Sequence, residues 1–322
     1  MSASATSTSP VRPLLVLCGL TLACVALFML VEVNGPWDFV LAFRGKKVAT
    51  ALLVGYAVAV STVLFQTVTG NRVLTPAIMG FDYLYVLIQT CLVFLLGSTA
   101  VAGLDPWLLF GAEVVIMVAF SALLHGWLFG VARGNVHLLL LTGVVMGVLF
   151  RSLSAFLQRI IDPNEFVFLQ DRFFASFNDP EHELLLLSTV VTLGVSVLGL
   201  RLLRACDVLV LGREAAINLG VDYTKTVSWV LALVAILVAV STAMVGPVTF
   251  LGLLVANLTY SVMRTYKHAF VLPAAALVAA IALVAGQLIL ERVFRLDTNP
   301  RVIIEFVGGG VFIAMLMRKA TR

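Results

Sequence analysis

Apolar runs close to 20 residues long recur along almost the whole of this 322-residue chain. Each is long enough to cross a hydrocarbon core of roughly 30 Å as a helix. Inside such a core the backbone must satisfy its own hydrogen bonds, which leaves only helices and closed barrels. The runs place ten spans at about residues 14–33, 48–68, 77–96, 107–129, 136–158, 183–203, 226–245, 250–264, 269–290 and 302–317. The charged fraction of 12% is about half the ~25% of soluble domains. Dyad alternation is absent, which argues against a barrel. The expected fold is therefore an all-α polytopic membrane protein with about ten transmembrane helices.

Two spans depart from the pattern. The third carries Asp82 and Gln89. The eighth is short, and Gly246-Pro247 before it predicts a broken or re-entrant start. Residues 1–13, rich in Ser, Thr, Ala and Pro, are expected to be disordered and cytoplasmic, ahead of one membrane domain over 14–322. Arg12 and the run 14–31 imitate a signal peptide. The run is too long for that and has no Ala-x-Ala before Asn34, so it reads as an uncleaved first span.

With the N-terminus inside, twelve of the 21 Lys and Arg fall in cytoplasmic segments and eight in outer ones, with Arg151 inside a span. That bias predicts N-in and C-in. The loop 159–182 concentrates acids (Asp162, Glu165, Asp171, Asp179 and Glu181), as an outer solvated face would. Arg44, Lys46 and Lys47 run against the bias, either as headgroup-snorkelling anchors or as a basic rim that meets acids on a partner. Arg292, Arg295 and Arg301 extend the same rim.

Several chemistries are disfavoured. The four cysteines form no CxxC pair, and the four histidines are scattered, so no metal cluster or catalytic constellation appears. No Gly-x-x-x-x-Gly-Lys-Ser/Thr loop occurs, so any ATP-driven motor is another polypeptide. The net charge of +4 reflects loop arginines and gives no reason to expect nucleic acid.

One polar stretch has no role in spanning a membrane. Leu211-Gly212-Arg213-Glu214-Ala215-Ala216 reads as a turn feeding a short helix that ends at Leu219-Gly220-Val221. Ala215, Ala216, Leu219 and Val221 are expected on one side, with Arg213, Glu214 and Asn218 toward water. Such a surface helix suits transmission of motion from a soluble partner. Ala59-Val60-Ser61-Thr62 also recurs as Ala239-Val240-Ser241-Thr242, in spans expected to run in opposite directions, as an inverted repeat requires. Glu113 and Arg151 lie within spans, where a charge costs roughly 2.5–3.5 kcal/mol and normally faces protein or water. They, with Gln66 and Asn257, are candidates for a translocation path or for structural hydrogen bonds.

From about residue 40 onward the chain resembles the permease subunits of bacterial iron-siderophore and vitamin B12 ABC importers, the FecCD-like, type II importer family. The resemblance rests on motifs in order. They are Phe43-Arg44-Gly45-Lys46-Lys47 with Ala51-Leu52-Leu53-Val54-Gly55; Leu64-Phe65-Gln66 with Gly70 to Pro76 and Met79-Gly80; Leu211 to Val221; Gly246-Pro247-Val248-Thr249-Phe250-Leu251-Gly252-Leu253; and Gly308-Gly309-Gly310-Val311-Phe312. It departs from the family at Ala256-Asn257, Gly286-Gln287 and Asn71-Arg72-Val73-Leu74.

The resemblance implies a membrane-spanning subunit in a bacterial cytoplasmic membrane that binds no cofactor itself and is not an enzyme. ATP and Mg would sit on two partner ATPases, which dock on a coupling segment over 205–224 through Leu211, Gly212, Arg213, Glu214, Ala215, Leu219 and Gly220. A second permease chain, a substrate-binding protein at the outer rim (Arg44, Lys46, Lys47, Arg292, Arg295) and membrane lipid complete the expected partners. The expected cargo is a ferric siderophore, with vitamin B12 or haem as alternatives. An ion-coupled secondary transporter using Glu113, Arg151 or Asp82 is the competing class, disfavoured by the docking-like segment.

Overall fold

The structure, a computed structural model, describes residues 10–31, 36–130, 136–173, 177 and 182–292. Those residues form helices and no strand. In chain order they are α1 (Val11–Leu30), α2 (Trp37–Thr69), a 3-10 turn (Pro76–Met79), α3 (Phe81–Leu96), α4 (Ser98–Ala102), α5 (Pro106–Gly130), α6 (Val136–Gln158), α7 (Pro163–Phe173), α8 (His182–Leu200), α9 (Leu203–Leu209), α10 (Arg213–Asn218), α11 (Tyr223–Val245), α12 (Leu251–Val262) and α13 (His268–Arg292).

Seven of these helices (α1, α2, α5, α6, α8, α11 and α13) are long and apolar enough to cross a membrane. The predicted count of ten is approximate for two physical reasons. The third span is broken where Gly80 turns the chain at φ 90°, so a 3-10 turn precedes a 16-residue helix. The eighth is a 12-residue helix after the Gly246-Pro247 break. The tenth, residues 302–317, lies outside the described residues, as do residues 1–9 of the N-terminal segment. The second span begins eleven residues earlier than expected and runs for 33 residues.

The core forms around α2 and α11, the most buried of the spans. Val54, Ala57, Ala59, Phe65, Val227, Val230 and Ala239 are almost wholly enclosed. Small residues allow close helix approach, which drives association where lipid is as apolar as the side chains. Gly55 sits against Ala279 and Leu283 of α13. On the other flank Gly143 and Gly147 of α6 receive Met79 and Gly80, and a Cβ on Gly143 would lie 2.9 Å from the Met79 Cα. Gly143→Leu should therefore destabilise the domain by about 1–3 kcal/mol through overpacking. A lowered Tm in detergent checks this, with Gly111→Leu as the neutral control because nothing lies within 4 Å of that position.

The two halves of the tetrapeptide echo meet. Ser61-Thr62 on α2 and Ser241-Thr242 on α11 line one small cavity, beside which the Thr249 hydroxyl donates to Asp82 at 2.8 Å. At one end of the bundle Glu165 of α7 accepts from the backbone N–H of Ser98, and Trp107 Nε1 donates to Glu183 at 2.9 Å. The opposite end is built from α9, α10 and the turns at 70–75 and 263–267.

Candidate functional site

That second end holds the candidate site. After Leu200 the chain turns and runs as α9, then reverses at Gly212, whose φ of 95° suits glycine. α10 follows and stops at Gly220, φ 83°. Asp222 then caps α11, accepting from the Lys225 backbone N–H at 3.1 Å. The predicted turn, short helix and glycine stop over 211–221 are all present.

The faces differ in part from expectation. Ala216 is fully buried, and Ala215 and Val221 are half-buried, as predicted. Leu219 is 63% exposed, together with Leu211 at 62% and Ile217 at 51%. The helix is too short for one stripe to bury every apolar side chain, so three large ones project beside exposed Glu214 and Arg213. Arg213 lies over the Tyr223 ring, 5.6 Å from its centroid.

Sequence reasoning missed how this segment is tied to the bundle. One Asp207 carboxylate oxygen on α9 accepts from the His268 backbone N–H and lies 2.7 Å from its Nδ1. A carboxylate only accepts, so Nδ1 carries a proton. The Nε2 of the same ring shares a hydrogen bond with the Thr67 hydroxyl at 2.8 Å. His268 is 3% exposed and opens α13, while Thr67 belongs to the last turn of α2. α9, α13 and α2 are thus joined through one ring. The only available signals were an acid inside 205–224 and a histidine opening the ninth apolar run. Neighbouring Cys206 is buried, and burial first, then the Asp207 charge, push its thiol up to about 12. It packs as a protonated side chain.

The four path candidates occupy three separate places. Gln66 and Asn257 meet, both donating to the Arg72 carbonyl, at 2.9 and 3.4 Å. The Arg72 guanidinium lies over Tyr260, and Gln66, Arg72, Tyr260 and His268 border a cavity of about 260 Å³. Glu113 is buried in α5 and accepts from Gln89 Nε2 at 2.6 Å. Arg151 on α6 is exposed, with the Tyr83 ring 5.9 Å away.

The rim expectation needs correction in its geometry. Arg44 is buried and donates to the carbonyls of Phe28, Met29 and Val31 at 2.9–3.0 Å. It satisfies the orphan acceptors at the end of α1, where a cation also complements the helix dipole. Lys47 is buried too, paired with Glu291 at 2.9 Å and lying over Phe43. Glu291 also accepts from Gln287 at 2.7 Å. Lys46 is half-buried. The side chains of Arg292 and Arg295 lie outside the described residues.

The same architecture is found in a metal-chelate type ABC transporter solved in an inward-facing conformation. The TM-score is 0.84 at 23% identity, covering 96% of this chain and 99% of that one, which shows the fold. Among characterised proteins, the petrobactin import system permease protein YclO of Bacillus subtilis is 47% identical over 94% of this chain and 96% of its own length. The petrobactin import system permease protein FatC of Bacillus anthracis is 36% identical over 90% and 82%. The model of the FecCD transport family matches residues 14–318, which takes in the buried helix core and the whole segment from α9 to α11. This chain belongs to the FecCD transport family.

Proposed function

We propose that this chain is the membrane-spanning subunit of an ATP-driven importer for ferric siderophores, petrobactin foremost. The observation that carries the reading is the α9–α10 segment, an exposed apolar surface between two spans and hydrogen-bonded into the bundle through His268. It gives a soluble motor something to grip. The two relatives at 47% and 36% identity, both named for petrobactin import, supply the cargo class. Transport rather than catalysis is the role those relatives support, both being permease proteins of import systems.

Two ATPases that bind ATP and Mg, a second permease chain and a substrate-binding protein complete the assembly. It sits in a bacterial cytoplasmic membrane with both termini inside. The ion-coupled alternative finds little support, because Glu113, Arg151 and Asp82 each have separate partners: Gln89, Tyr83 and Thr249. Uptake of iron-55 petrobactin by a strain lacking its own permease decides the reading. Expression of this chain with its ATPase and binding protein should restore uptake. Restoration of cobalamin or haem uptake alone would overturn the cargo assignment.

Arg44 and Lys47 are committed to internal contacts, so the docking charge falls to Lys46, together with Arg292 and Arg295. Lys46→Glu should slow binding-protein association at low salt, and the deficit should shrink as salt screens exposed charges over about 10 Å at 0.1 M. Association rates on reconstituted permease, measured at two salt concentrations, check it. Equal rates would leave Lys46 an interfacial anchor.

A further inference from the structure

A large apolar cavity lies apart from the polar one beside Arg72. It occupies about 680 Å³ between α1, α2, α8, α11 and α13, within the ~300–1,000 Å³ typical of small-molecule sites. Leu14, Val60, Leu64, Leu233 and Leu272 line its walls, and Gly199 faces Leu233 across it. Along α2 it extends from Tyr56 to Leu64 and along α13 from His268 to Leu277. At a rise of 1.5 Å per residue these stretches measure about 12–14 Å. Half of a hydrocarbon core is roughly 15 Å. The groove therefore has the depth of one leaflet.

Its mouth opens at the end of the bundle that carries α9 and α10. The lining residues there are Leu14, Leu200, Leu202, Leu203, His268 and Ala269. Arg12, Arg201, Arg204 and Lys267 stand within two positions of those residues along the chain. All four are exposed, and none has an ion-pair partner among the described residues. A leaflet-deep apolar slot under a group of unpaired cations matches one chemistry, an anionic phospholipid with an acyl chain in the slot and its phosphate at the mouth.

We propose that this groove is a specific site for an anionic phospholipid of the leaflet facing α9 and α10. The mouth of the slot includes His268, so a bound lipid lies against the residue that ties α9 to α2 and α13.

The test is native mass spectrometry of the permease–ATPase complex released from vesicles of equal parts phosphatidylglycerol and phosphatidylethanolamine. Phosphatidylglycerol should be retained preferentially. Arg204→Gln and Lys267→Gln should each lower that retention about fivefold, the effect of one basic residue near a headgroup. Both are surface changes that leave the core intact. Gly199→Phe, or the milder Ala276→Leu, should fill the slot and remove the retained lipid. No preference between the lipids overturns the proposal. A preference that survives slot filling also overturns it, by reducing the effect to general surface charge. Dissociation of the permease pair by the filling variants, with lipid retention unchanged, would assign the groove to a second chain instead.

Discussion

Leu211→Arg combined with Leu219→Arg is expected to abolish ATP-dependent uptake while the permease still inserts and folds. Both side chains are more than 60% exposed and support no internal packing, so their replacement should change stability little. They flank Ile217 and Glu214 on the surface proposed to seat the ATPase. Buried in such an interface, two leucines act as central anchors, and anchors of this kind contribute 2 kcal/mol or more each on truncation. Two guanidiniums in their place would bury unpaired charge, which costs several kcal/mol per ion. ATPase affinity should fall by at least about a thousandfold, the factor that roughly 4 kcal/mol represents. Co-purification of the ATPase and chelate uptake in vesicles are the two readouts. Retention of both at normal levels would remove α10 as the docking site.

The spans were legible because a membrane imposes length and apolarity on any crossing helix. Residues 136–158 were read to the residue, and 226–245 needed only three more at its start. Precision failed where glycine and proline decide. Nothing in the sequence around Pro76-Ala77-Ile78-Met79-Gly80 says whether the chain bends or continues. The bend is set by the fit of Met79 and Gly80 against Gly143 and Gly147, more than 60 residues away.

Charges were the harder problem. Arg44 and Lys47 looked like rim residues because positions near a span end leave the direction of a side chain undetermined. Arg44 is claimed by the last turn of α1 and Lys47 by Glu291 at the far end of α13, partners that only the packing of α1 and α13 around α2 brings near. Glu113 was found by its cost in a span and given its partner, Gln89, only by the pairing of α3 with α5. The shape of the α9–α10 segment, by contrast, was readable in isolation. Its signals, Gly212 and the Gly220 stop, are local, and local chemistry suffices to shape a six-residue helix.

Asp207 ties α9, next to the surface proposed to seat the ATPase, to α13 and α2, and Asp207→Ala is expected to separate hydrolysis from transport. The substitution leaves the His268 backbone N–H and Nδ1 without their acceptor at a buried site. An unsatisfied buried donor costs about 1–3 kcal/mol, so some loss of Tm accompanies the change. Stability alone would lower hydrolysis and uptake together. The geometry predicts a different pattern, because α10 and its exposed surface remain intact for docking while the link to α13 and Thr67 is cut. ATP hydrolysis by the assembled complex should stay near its original rate, and chelate uptake per ATP should fall by tenfold or more. Asp207→Asn keeps an uncharged acceptor oxygen where one carboxylate oxygen meets both donors, and should recover part of the coupling. The decisive measurement is the ratio of uptake to hydrolysis in proteoliposomes for the three forms. A ratio equal in all three would reduce the Asp207–His268–Thr67 chain to a structural brace, with the motion carried instead by apolar contacts such as those of buried Ala216 and Leu209.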